Sequence, residues 1–239
     1  MQKIESLKGA RVALLGLGIS QIDFVIGAEN SKEWDEVWGI NSACGVFNCS
    51  RVFMMDPPSR FLDSEDAGKQ THVMRRVLPD LSVPVYTCEL DDRVPSAELY
   101  PIEAVCNYTK SAYFNNTVAY AIAFAYYHEV GTLELYGIDF SYKGDMHFAE
   151  AGRACVEFWC SKVMEGGMMI GVSPRSSLLD ASVPLKERLY GYHRLADPIV
   201  AVPHNNQWVI EPNSKIRDVL KKENIAVIEE ETPPEPYKG

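Results

Sequence analysis

Apolar residues fall in short dense blocks along this chain, and longer stretches of helical periodicity separate them. The blocks are Arg11–Gly18, Glu36–Asn41, Arg51–Met55, Val83–Cys88, Thr132–Ile138 and Met168–Val172. They are rich in β-branched residues and mostly apolar at consecutive positions, which predicts strands buried on both faces. Between them, Gln21–Ala28, Ala67–Leu78, Asn116–His128 and Ala149–Glu165 carry helical patterns. The third is small and apolar almost all round, so it is expected to lie inside the molecule. The fourth ends at Gly166-Gly167, a helix stop. Strand alternating with helix predicts an α/β fold, a Rossmann-like, doubly wound, mostly parallel sheet with helices on both faces.

Residues 176–205 read as one or two short helices. Beyond them come a strand, "QWVIEP", a charged helix, "SKIRDVLKKENI", and an acidic, proline-rich tail. This suggests one domain over residues 1–205 and an extension over 206–239. No internal repeat is visible.

Composition narrows the class. With 239 residues and 46% hydrophobic content, the chain can build one substantial core. A net charge of −10 without a basic run disfavours nucleic acid as a partner. No export signal and no apolar stretch of membrane-spanning length are seen, so a cytoplasmic protein is expected. The six cysteines show no CxxC and read as reduced core thiols; the spacings of Cys44, Cys49, Cys155 and Cys160 do not suit zinc.

In an open parallel sheet, ligands gather beyond the carboxyl ends of the strands, so the residues that end strands are the informative ones. The first strand runs out through "GLGIS", Gly16 to Ser20. Gly16 and Gly18 could let the backbone approach a phosphate, or form a plain tight turn; Ser20 could cap the next helix. Asn41 could read a base or ribose, or satisfy its own loop. Asp56, before two prolines, could bind a ribose hydroxyl, a metal ion or its own turn. Asn115, Asn116 and Thr117 open the apolar helix, where they could cap it or share its end with a phosphate. Asp139 ends the fifth strand and needs partners if buried; locking its loop is the plain alternative. Tyr142, Lys143, Asp145 and His147 follow in "FSYKGDMH". His147, on the ligand edge, is the candidate general base, because imidazole suits proton transfer at neutral pH. Arg153 and Arg175 could each clamp a phosphate or lie on the surface.

Together, "GLGIS", "GINSA", "NNTVAYAIAFA", "YGIDFSY", His147 with Glu157-Phe158, and "GVSPRSSLL" resemble the bacterial sialyltransferases that use CMP-sialic acid. "MMDPP" and "GIDFSYKGDMH" also resemble the 6-hydroxymethylpterin diphosphokinase-like proteins. The resemblance spans roughly residues 10–180. It implies that Gly16, Gly18, Ser20 and Asn41 line a nucleotide pocket and that Asn116 and Thr117 meet phosphate or ribose. It implies His147 as base and Tyr142 as support for the leaving phosphate. The chain departs from the sialyltransferase motif "GNGPS" at Leu17 and Ile19, and Ser141 stands where a tyrosine would follow Gly-Ile-Asp-Phe.

The expected function is therefore a transferase using a nucleotide-activated donor, foremost a sialyltransferase-like glycosyltransferase acting on a small-molecule or glycan acceptor. With a CMP-sugar donor the leaving group is a monophosphate, so a metal need not be involved. The alternatives are a Mg-dependent diphosphokinase, with Asp56 and Asp139 as metal carboxylates, and a protein that only sequesters a nucleotide. Self-association is left open.

Overall fold

Seven parallel strands form the frame of the molecule, in the order β5-β4-β3-β2-β1-β6-β7. A computed structural model describes residues 2–140, 146–204 and 207–222. The strands are β1 (Arg11–Leu15), β2 (Glu36–Ile40), β3 (Arg51–Phe53), β4 (Val85–Thr87), β5 (Ala97–Leu99), β6 (Thr132–Tyr136) and β7 (Met169–Val172). The helices threaded between them are α1 (Ile22–Glu29), α2 (Ser59–Leu62), α3 (Lys69–Val77), α4 (Ile102–Thr109), α5 (Thr117–Tyr127) and α6 (Met146–Glu165). The strand order reverses between β1 and β6, which both run parallel to each other, with Leu15 opposite Tyr136. That reversal is the topological switch point of a Rossmann-like sheet.

Alternation along each strand sorts side chains to the two faces. Val12 and Leu14 of β1, Trp38 of β2 and Phe53 of β3 pack with α4, α5 and α6. Ala13 and Leu15 meet Phe24 of α1, while Val52 and Met54 meet Phe61 of α2 and Met74 of α3. Both faces are thus covered by helices, as the continuous apolar runs require. Helix α5 is the centre of the first face. Eight of its eleven residues are buried, and Phe124 lies 4.6 Å from Tyr86 and 5.2 Å from Phe53, ring to ring.

One buried charge is built into the sheet. Glu134 of β6 accepts hydrogen bonds from Arg11, Lys32, Trp34 and Tyr136 at 2.7–2.8 Å. Burial works against its charge, but these donors outweigh it and hold the carboxyl down near 2.

His128, just past α5, is buried without charge. Its Nδ1 accepts from the Ile4 N–H at 2.9 Å, and its ring lies 4.2 Å from that of Phe124. Burial first, then the charges of Arg51 and Lys3, push its pKa from 6.5 to about 4. The unfolded chain therefore binds this proton more readily than the folded one. Its contribution to stability is intact above the ordinary histidine range and is lost as pH falls toward the folded value. Between pH 7 and pH 5 the loss expected from this residue is about 2 kcal/mol. Urea titrations at the two pH values check it, and His128→Gln, which keeps an acceptor for Ile4, should flatten the dependence. An equal pH dependence in that variant would assign the effect elsewhere.

The chain divides into two compact units, Met1–Leu179 and Asp180–Gly239. In the second, 3-10 turns at Leu185–Glu187 and Tyr192–Arg194 replace the short helices read from the sequence. Pro184 and Gly191 interrupt that segment and leave no run long enough for an α-helix. A hairpin follows, β8 (Ile199–His204) against β9 (Gln207–Pro212), then α7 (Asn213–Lys222). Asp197 caps α7, accepting from Ser214 N at 3.2 Å and from its Oγ at 2.5 Å.

Candidate functional site

At the carboxyl edge of the sheet a cavity of about 560 Å³ opens within the first unit. Five residues singled out from the sequence line it: Asn41, Asp56, Asn115, Asn116 and Thr117. They arrive from three separate elements, the ends of β2 and β3 and the start of α5. Aromatic rings supply the apolar wall. Phe114 stacks on Tyr120 at 4.4 Å and on Trp159 at 4.8 Å, and the first two face the cavity. A volume of this size falls within the range of small-molecule clefts.

Asn41 was expected to close its strand. It instead opens a 3-10 turn, Asn41–Gly45, with φ at 48°. Asparagine tolerates this left-handed backbone better than other side chains do. Its Oδ1 is buried and has no hydrogen-bond partner. Asp56 is paired with Arg60 one helical turn on, and its backbone carbonyl accepts from Thr87 Oγ1 at 3.1 Å. Asn116 is the N-cap of α5, accepting from Ala119 N at 3.1 Å. Its amide nitrogen reaches Asn115 Oδ1 at 2.7 Å and the carbonyl of Gly152 at 3.2 Å, tying α5 to α6.

A second group of predicted residues forms the switch point itself. Gly18 N donates to the carbonyl of Gly137 at 2.7 Å. Asp139 accepts from Ser20 N at 2.9 Å and from the Ser20 hydroxyl, and Ser20 Oγ accepts from Gly137 N at 2.8 Å. Ser20 is fully buried and Asp139 nearly so. The loop lock considered for Asp139 is thus what its carboxylate does, and Ser20 caps no helix with its side chain. Gly16 and Gly18 serve close approach: a Cβ on either would collide with Gly137 or Asp139. None of Gly16, Gly18, Ser20 and Asp139 lines the cavity directly.

Phe140 joins the two groups. It follows Asp139, adopts φ of 48°, and turns its ring into the cavity wall. A bulky residue in this region is strained. Space for the ring comes from Gly152 of α6, where a Cβ would stand 2.8 Å from Phe140 Cε1.

The remaining candidates lie apart. His147 is exposed in the first turn of α6, beside Phe148, which does line the cavity. Tyr142 lies outside the described residues. Arg175 bonds Asp23 of α1 through Nε at 3.0 Å, and Ser173 also reaches Asp23. Arg153 pairs with Glu157 at 2.7 Å. Asp56 and Asp139, the two carboxylates of the magnesium alternative, are engaged by Arg60 and Ser20 and are not brought together as an open ligand pair. Among the described residues no cluster of three or more His, Cys, Asp or Glu is arranged to hold a metal ion. Cys44 and Cys49 border one core cluster and Cys155 and Cys160 belong to another, so they share no site. Cys88 is exposed, against the expectation of a core thiol.

Arg60, Gln70 and Phe148 line the cavity and were not singled out from the sequence. Arg60 was within reach of that reading. It stands four residues after Asp56 on a helix that Pro57-Pro58 start, the spacing of an ion pair. Gln70 carries no such mark.

No family model matches the chain, and no curated protein matches it. Solved structures give matches of low similarity. CstII from Campylobacter jejuni with cytidine-5'-monophosphate is 18% identical, covering 72% of this chain and 83% of that one, with a TM-score of 0.41. The same enzyme with CMP-3FNeuAc is 17% identical, covering 88% and 98%, with a TM-score of 0.42. The apo α-2,3-sialyltransferase of Campylobacter jejuni is 15% identical, covering 93% and 98%, with a TM-score of 0.42. These matches do not say which residues act. Among the described residues no helix is long and apolar enough to cross a membrane.

Proposed function

We propose that this protein is a glycosyltransferase that uses a nucleotide-sugar donor. The observation that carries the reading is the meeting of Asn41, Asp56, Asn116 and Thr117 in one aromatic-walled cavity at the carboxyl edge of the sheet. The nucleotide base lies against the Phe114–Tyr120 wall, and its ribose is read by Asp56. The phosphate sits at the start of α5, where backbone N–H groups and the helix dipole favour negative charge.

His147 takes the proton from the acceptor hydroxyl. The acceptor oxygen attacks the anomeric carbon, and the bond from that carbon to the phosphate oxygen breaks. The nucleotide leaves with the electron pair, stabilised at the helix end and by Tyr142. Asp139 acts through Ser20 and Phe140 as a positioning residue. Gly16 and Gly18 allow the turn that brings the two loops together. Arg175 contributes through Asp23 and not at the phosphate.

A thermal-shift panel with CMP, UMP, ADP, GDP and ATP, each with and without Mg²⁺, tests the proposal. Stabilisation by at least one pyrimidine or purine nucleotide without Mg²⁺ is expected. At a ligand concentration of a hundred Kd the gain is about 2.7 kcal/mol. Stabilisation only by ATP with Mg²⁺ would favour the diphosphokinase alternative, and no stabilisation by any nucleotide would end the transferase reading.

A further inference from the structure

We infer that the sugar carried into this cavity is a neutral or amino sugar, and not one bearing a carboxylate. The inference rests on the transferase reading and specifies its donor. Two observations lead to it.

The first is a pair of acceptors without donors. Asn41 Oδ1 and Gln70 Oε1 are buried, have no hydrogen-bond partner, and belong to residues lining the same cavity. A buried carbonyl oxygen left unpaired is unfavourable, and native proteins keep very few. Their placement is built in. Helix α3 packs against the 3-10 turn that Asn41 opens, with Val73 pressed on Gly45, where no Cβ could fit. Gln70, one turn before Val73, shares that face. Both oxygens therefore wait for groups that donate, the hydroxyls or N–H of a sugar.

The second is charge. The described lining holds two carboxylates, Asp56 and Asp66, and one guanidinium, Arg60. Arg60 is already bound to Asp56. The balance is one net negative charge, with no other cation among the described lining residues to receive a carboxylate. An anionic sugar entering here would face like charge and acceptors that cannot bond it.

Calorimetry on the full chain tests this with UDP-glucose against UDP-glucuronate, GDP-mannose against GDP-mannuronate, and CMP-N-acetylneuraminate against CMP. The expected result is that the neutral sugar nucleotide binds at least about tenfold more tightly than its uronate, and that the sialyl group adds no affinity to CMP. Gln70→Met, similar in size and equally suited to a helix, is expected to raise the melting temperature of the unliganded protein by roughly 2–4 °C while weakening the neutral sugar nucleotide about tenfold. Tighter binding of any carboxylate-bearing sugar would overturn the inference alone. So would unchanged affinity in Gln70→Met, or nucleotide binding to which no sugar adds. Failure of all nucleotides, sugar-free ones included, would overturn the transferase reading as well.

Discussion

Replacing His147 by alanine is expected to slow transfer by about a hundredfold or more, with nucleotide affinity nearly unchanged. The size follows from the task. A positioned base takes the acceptor proton as the new bond forms, and water in its place is weaker and unplaced. The split between rate and affinity follows from the position. His147 is exposed in the first turn of α6, while the cavity is lined by its neighbour Phe148. The side chain supports no core packing, so the melting temperature should stay within about 1 °C, as for most exposed substitutions. Product formation at saturating donor and calorimetry with the nucleotide measure the two halves. A variant that keeps its rate would remove the base from His147. A wild-type chain that binds nucleotide but turns nothing over would point to sequestration.

Much of this site was legible because of where strands end. A buried strand must stop at an edge, and in a parallel sheet that edge is the ligand side. Asn41, Asp56 and Asp139 were found by that argument alone. It located them but could not tell which would face the cavity. Asp139 turns inward to Ser20 because Gly18 lacks a side chain and lets the two loops close. That closure depends on two loops far apart in sequence. Gln70 was hidden for a similar reason. On its own helix it is one polar residue among several, and only the packing of Val73 on Gly45 turns it to the cavity.

The elements missed were those with weak local signals. Strand β5 has three residues, two of them exposed, at the edge of the sheet, so it shows neither an apolar run nor clean alternation. Helix α4 follows Pro101 directly and fully buries only Val105 and Thr109, so its sequence carries no clear apolar stripe. Strand β1 was read three residues too long, because glycine and leucine in "GLG" extend the apolar run. The chain leaves the sheet where Gly16 meets the carbonyl of Gly137.

Asp139→Ala should destabilise the first unit by about 3 kcal/mol, because two hydrogen bonds to a carboxylate are lost and their donors stay buried. The partners left behind are the backbone N–H and the hydroxyl of Ser20, which is fully inaccessible to solvent. Asp139→Asn keeps one carbonyl oxygen for Ser20 N and should lose only about 1 kcal/mol. Because Ser20 and Asp139 form one unit, Ser20→Ala with Asp139→Ala should destabilise less than the sum of the single changes. Urea denaturation of the wild type, the three single variants and the double variant measures all of this. The functional consequence follows through Phe140, whose strained backbone depends on a fixed Asp139 and whose ring closes the cavity. Nucleotide affinity should therefore fall with stability in the alanine variant and recover in the asparagine variant. A folded Asp139→Ala protein of wild-type stability that had lost turnover would instead give Asp139 a direct part in the chemistry.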